Sequence, residues 1–151
     1  MHRAVVAALL CLLGATGLAG QKGRDLSKID ACKILSTADV EATLKRKIMK
    51  TLTAEKHCMY IPADPQAVAD AYDFFLEEAA LAEMLLQMKK GTEKGTPVPG
   101  LWTEAYIGPS AGTPNLLTLV ALKKGDMAIE ISGMSKDGLI ALARLAVSRL
   151  Q

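Results

Sequence analysis

The sequence predicts an α+β fold: a mostly antiparallel sheet of about five strands, packed with three helices and held by one disulfide. Three observations carry that expectation. The last third of the chain alternates apolar and polar residues in short runs separated by hairpin-length turns. Capped segments with apolar residues at helical spacing lie on either side of those runs. Two cysteines, Cys32 and Cys58, remain once an apolar leader is set aside.

The leader is "MHRAVVAALLCLLGATGLAG". Arg3 supplies a basic start, Ala4 to Leu13 an uncharged apolar run, and "GATGLAG" the small residues a signal peptidase accepts. Residues 1–20 are therefore expected to be a signal peptide and 21–151 one α+β domain. The stretch from Ala4 to Ala19 is shorter than the roughly 20 residues of a spanning helix, so no stable membrane span is expected once the signal is removed. Cys11 is not read as a lipidation site, because Leu10 stands before it where a small residue is wanted. The expected location is secreted or periplasmic. Two cysteines in an oxidising compartment are most simply one bond, Cys32 to Cys58.

The elements follow in order. Ser36 opens a short helix over "STADVEATLKRK", with Asp39 three residues on in its first turn. "IMKTL" and "HCMYI" read as strands, the second placing Cys58 and Tyr60 on one face and His57, Met59 and Ile61 on the other. "PADPQAVADAYDFFLEEAALAEMLLQMKKG" reads as a long helix over 65–90. Asp64 would cap it, Pro65 would take its first position, and Val68, Tyr72, Phe75, Leu76 and Ala79 recur at helical spacing. "GTEKGTPVPG" is a loop by composition. "WTEAYIG" is a strand, "GPSAGTPN" a loop, and "LLTLVALKK" and "MAIEISG" a hairpin around "GD". A helix capped by Ser135 closes the chain, with Leu139, Leu142, Ala146 and Leu150 as its core stripe.

Charge and composition exclude some chemistry. The formal net charge is +2, and aromatic residues are 4% of the chain. A nucleic-acid surface would be more basic and more aromatic, so no nucleic-acid partner is expected. Lys45, Arg46, Lys47 and Lys50 read as a solvated helix end. "GPSAG" matches G-x-S-x-G at Ser110, but Pro114 blocks the required helix and no histidine follows His57. Asp70, Asp73 and Glu77 read as a solvated face and not as an acid cluster. His57 with Met59, or with Met84 and Met88, is the pattern a copper or haem site would use, although methionines at helical spacing are more often core filler. Trp102 and Tyr106 are the aromatic residues best suited to touch a ligand or partner.

These motifs together resemble a group of small exported bacterial domains, often lipoproteins, from families without an assigned function. The matching stretches are "DACKILSTADVEATL", "HCMY", "PVPGLWTEAYIG", "LVALKKGDMAIEISG" and "LIALARLAVSRL". The residues that match are Cys32, Cys58, Tyr60, Pro99, Gly100, Tyr106, Gly125 and Asp126. The chain departs from the pattern at Trp102, where glycine is common, and in lacking a lipobox cysteine. The resemblance implies a disulfide and an α+β fold, and it brings no catalytic residues. The expected function is non-catalytic binding of a protein, envelope component or small ligand, with no cofactor. The alternative is metal or haem handling through His57 and Met59.

Overall fold

The computed structural model describes residues 24–64, 71–110 and 112–151. A 3-10 turn at Leu26–Lys28 leads into α1 (Ala31–Ile34) and α2 (Thr37–Leu44). Strands β1 (Ile48–Ala54), β2 (His57–Pro62) and β3 (Tyr72–Glu78) follow as a meander, then α3 (Ala79–Gly91). The two-residue β4 (Thr96–Pro97), then β5 (Glu104–Ser110), β6 (Thr113–Lys123) and β7 (Met127–Gly133), complete the sheet, and α4 (Lys136–Arg149) ends the fold. All neighbours pair antiparallel in the order β1-β2-β3-β7-β6-β5-β4.

The sheet is larger than the sequence predicted: among the described residues there are seven strands in place of five and four α-helices in place of three. The main error is the long helix over 65–90. Residues 72 to 78 form a strand, because Tyr72, Phe74 and Leu76 alternate into the core while β3 pairs with β2 on one side and β7 on the other. The helical spacing of Tyr72, Phe75, Leu76 and Ala79 is present too, but two ladders of backbone hydrogen bonds outweigh local periodicity. Among the described residues Asp64 caps no helix, because α3 begins only at Ala79; the first position expected of Pro65 falls outside the described residues, as does the whole signal peptide. The other additions are small. Thr96 and Pro97 pair with Ile107 and Tyr106, and "GPSAGTPN" is largely the tip of the β5–β6 hairpin, where Ser110 faces Thr113.

The sheet has two unlike faces. On one, the row Cys58, Phe74, Ile131, Leu119 and Ile107 runs across five strands and packs under α1, α2 and α4. The Cys32–Cys58 disulfide joins α1 to β2 across this layer, with Cα atoms 5.1 Å apart. The oxidised Cys32 sulfur has no proton, so the Thr53 hydroxyl donates to it at 3.2 Å. Beneath it, the buried Tyr60 hydroxyl donates to the Leu35 carbonyl. Ser36 caps α2 by accepting from the Asp39 amide, while Asp39 accepts from the Ser36 amide in return. Arg149 closes on both Asp39 oxygens at 2.6 and 2.9 Å and ties the end of α4 to the start of α2.

Candidate functional site

The second face is only half covered. Ala82 and Leu86 of α3 pack on Val120, Leu122 and Ala128, so the helix lies over β5, β6, β7 and the edge of β3. Among the described residues no helix packs over the β2–β3 side of this face. Strand alternation, read from the pairing register, places there His57 and Phe75, and beside them Met59 and Asp73; the same two rows continue across β7 and β6 as Glu130 and Val120 and as the buried Ser132 and Thr118.

These side chains are organised on one another. The His57 ring stacks on Phe75, directly opposite on β3, with centroids 4.0 Å apart and planes within 5°. Its Nε2 lies 2.8 Å from Asp73 Oδ1. A carboxylate has no proton to give, so Nε2 carries the hydrogen, and in the neutral ring Nδ1 holds the lone pair. Further along, the Thr118 and Ser132 hydroxyls bond at 3.0 Å. Burial pushes the Glu130 carboxyl above the ordinary glutamate range, reinforced by Glu77, Asp73 and Glu93 and opposed by Lys89. Glu77 is pushed up as well, first by burial, with the Lys56 cation opposing.

At the C-terminal end of α3 the same face closes into a cavity of about 180 Å³ lined by Leu85, Met88, Lys89, Ser110, Thr118 and Glu130, among others. Lys89 is 5% exposed. Its ammonium donates to the Pro109 carbonyl at 2.7 Å and pairs with Glu93, so the buried charge is satisfied locally. Glu93 lies one helical turn after Lys89, a spacing the sequence displayed but that only burial made meaningful.

The residues singled out in the sequence scatter. Cys32 and Cys58 are joined, and the half-buried His57 and Met59 share a face as the alternation of β2 required. Met84 and Met88 are not core filler; they are 54% and 42% exposed on α3. Asp73 and Glu77 lie on the sheet floor and not on a helix, whereas Asp70 is outside the described residues. Ser110 ends β5 at the rim of the Lys89 cavity. Tyr106 packs in the α3 layer with the Lys90 ammonium 5.3 Å from its ring centre, but Trp102 packs against the opposite core. Trp102 takes φ 45°, the left-handed region costly to a bulky residue, and its buried Nε1 has no partner among the described residues.

Among the described residues no group of three or more His, Cys, Asp or Glu is placed to hold a metal ion, and no helix is long and apolar enough to cross a membrane. Phe75 and Glu130 are site residues that the sequence does not single out. The signal available for Phe75 was the Tyr72-x-Phe74-x-Leu76 alternation, which puts it on the face opposite the core. The geometry offers an interlocked, partly desolvated polar floor in which Asp73 orients the His57 ring. Comparison with protein-family profiles, with curated proteins and with solved structures returns no match.

Proposed function

We propose that this chain is an exported binding domain that holds its partner on the part of the sheet α3 leaves open. The observation that supports the reading is the His57–Phe75 stack, hydrogen-bonded to Asp73 and continued by Glu130. A merely solvated sheet face needs only independent polar residues. Here the polar groups are locked together, and Glu130 is desolvated at a cost to stability. Such a cost is characteristic of a surface built for recognition. Secretion suits the disulfide, which persists in oxidising compartments.

A photo-crosslinking amino acid at Leu81, on the exposed side of α3, tests this in the exported fraction, with the same probe at Ala141 on α4 as control. A defined adduct from position 81, lost in His57→Ala or Phe75→Ala, supports the open face. Adducts from both positions alike, or from 141 alone, would sink it.

One observation favours a second reading, soft-metal handling by His57 and Met59. Asp73 holds Nε2 and, in the neutral ring, leaves Nδ1 as the available lone pair, as carboxylates that orient metal-binding histidines do. Cu(I) titration against a chelator decides it: Met59→Leu must weaken binding, and equal affinity without Met59 rejects the site.

A further inference from the structure

Resting on the open-face reading above, we infer that the occupant is a cationic amphipathic segment of a partner protein. The groove has one apolar wall and an acidic floor. Leu81 and Met88, at 41% and 42% exposure, follow one another along one flank of α3 with Leu85 between them, at four- and three-residue spacing. Leu85 and Met88 line the cavity that also contains Thr118 and Glu130, so this stripe borders the floor. Flexible methionines accommodate an irregular apolar surface.

The floor carries Asp73, Glu77 and Glu130. The nearby lysines are already engaged: Lys56 with Glu78 at 3.7 Å, and Lys89 with Glu93 and Pro109. Glu77 and Glu130 have no ion-pair partner among the described residues, and they are diagonal neighbours across β3 and β7. A Lys or Arg lying between them would relieve both. A segment with apolar residues on one side and Lys or Arg on the other fits wall and floor together, in the manner of a helix in a groove. An anionic lipid surface does not fit, because the acidic floor repels it.

The test uses the full domain and synthetic helical peptides about four turns long, one of leucine and lysine, one of leucine and glutamate, and a scrambled lysine control. Binding is read by fluorescence anisotropy at two salt concentrations and located by amide NMR shifts. The lysine peptide is expected to bind with shifts in β2, β3 and α3. Glu77→Gln with Glu130→Gln is expected to weaken it about tenfold and flatten its salt dependence. Leu81→Ser with Met88→Ser is expected to weaken it comparably, and Asp137→Asn, on the exposed start of α4, to leave it unchanged. Equal binding of the scrambled peptide, or an equal loss in Asp137→Asn, overturns the inference.

Other outcomes separate its failure from that of the open-face reading. The glutamate peptide bound on the same strands overturns the charge argument and keeps the open face as the binding surface. Shifts confined to another surface overturn both. Self-association without peptide, mapped to this groove, makes the basic Lys45–Lys50 edge of a second copy the occupant and likewise overturns the partner-protein assignment.

Discussion

Reducing the Cys32–Cys58 bond is expected to cost a large share of the domain's stability. The bond closes a loop of 26 residues between α1 and β2. On the chain-entropy account, releasing such a loop returns about 12 cal/mol/K to the unfolded chain, or about 3.5 kcal/mol at 25 °C. A domain of roughly 130 residues has an unfolding entropy near 270 cal/mol/K, so the melting temperature should fall by about 13 °C. Calorimetry of the oxidised protein, of the reduced protein and of a Cys32→Ala, Cys58→Ala double variant checks this. The double variant loses in addition the packing of the fully buried Cys58 sulfur, so it should melt at or slightly below the reduced protein. A melting temperature indifferent to reductant would refute the reasoning, since the constraint would then restrict nothing that unfolding releases. A drop in the double variant with none on reduction would assign the effect to packing alone.

Other perturbations follow from single contacts. Glu130→Gln should raise the melting temperature at pH 7–8. The folded state favours the protonated carboxyl, so the Glu130 contribution is full below the unfolded glutamate range and is lost as pH rises; the gain should therefore vanish toward pH 4, and a pH-independent gain would contradict the burial argument. Asp39→Ala should cost about 1–2 kcal/mol by denaturant melts, removing half of the α2 capping box and the Arg149 anchor together. Arg149 and Ser36 hold the Asp39 carboxyl well below the usual range, so its contribution is full above the unfolded aspartate range and is lost only in strong acid. Trp102→Gly should be more stable than Trp102→Ala by about 1 kcal/mol, the reverse of the usual order, because alanine retains the penalty of φ 45° and glycine does not. Equal melting of the two variants would show that the loop relaxes out of that conformation.

The parts of this fold legible in the sequence are those whose cause is local. Ser36 and Asp39 announce the start of α2 because a cap needs only a hydroxyl and a carboxylate three residues apart. The β6–β7 hairpin shows in its alternation and in Gly125, which takes φ 76° in the connecting turn. Ser135 caps α4 in the same way, by accepting from the Gly138 amide. In contrast, "AYDFFLEEAA" satisfies both periods, with buried Tyr72, Phe74 and Leu76 two apart and Tyr72, Phe75, Leu76 and Ala79 at helical spacing. Nothing within the segment separates the two readings.

The candidate site was half visible. That His57 and Met59 share a face follows from strand alternation alone. That Phe75, Asp73 and Glu130 join them depends on β3 pairing with β2 and β7, and β7 lies far along the chain.

By itself the sequence determined the mixture of helix and antiparallel strand, the Ser36 and Ser135 caps, the β6–β7 hairpin, and the two cysteines available to one another. Each rests on a few neighbouring residues whose geometry the backbone dictates. Only the tertiary structure decided that 72–78 is the interior strand joining two meanders, that α3 covers half a face, and that Lys89 is buried. Those outcomes turn on which strand edges and apolar stripes find each other across the chain, and burial is a property of the assembled layers that no single stretch carries.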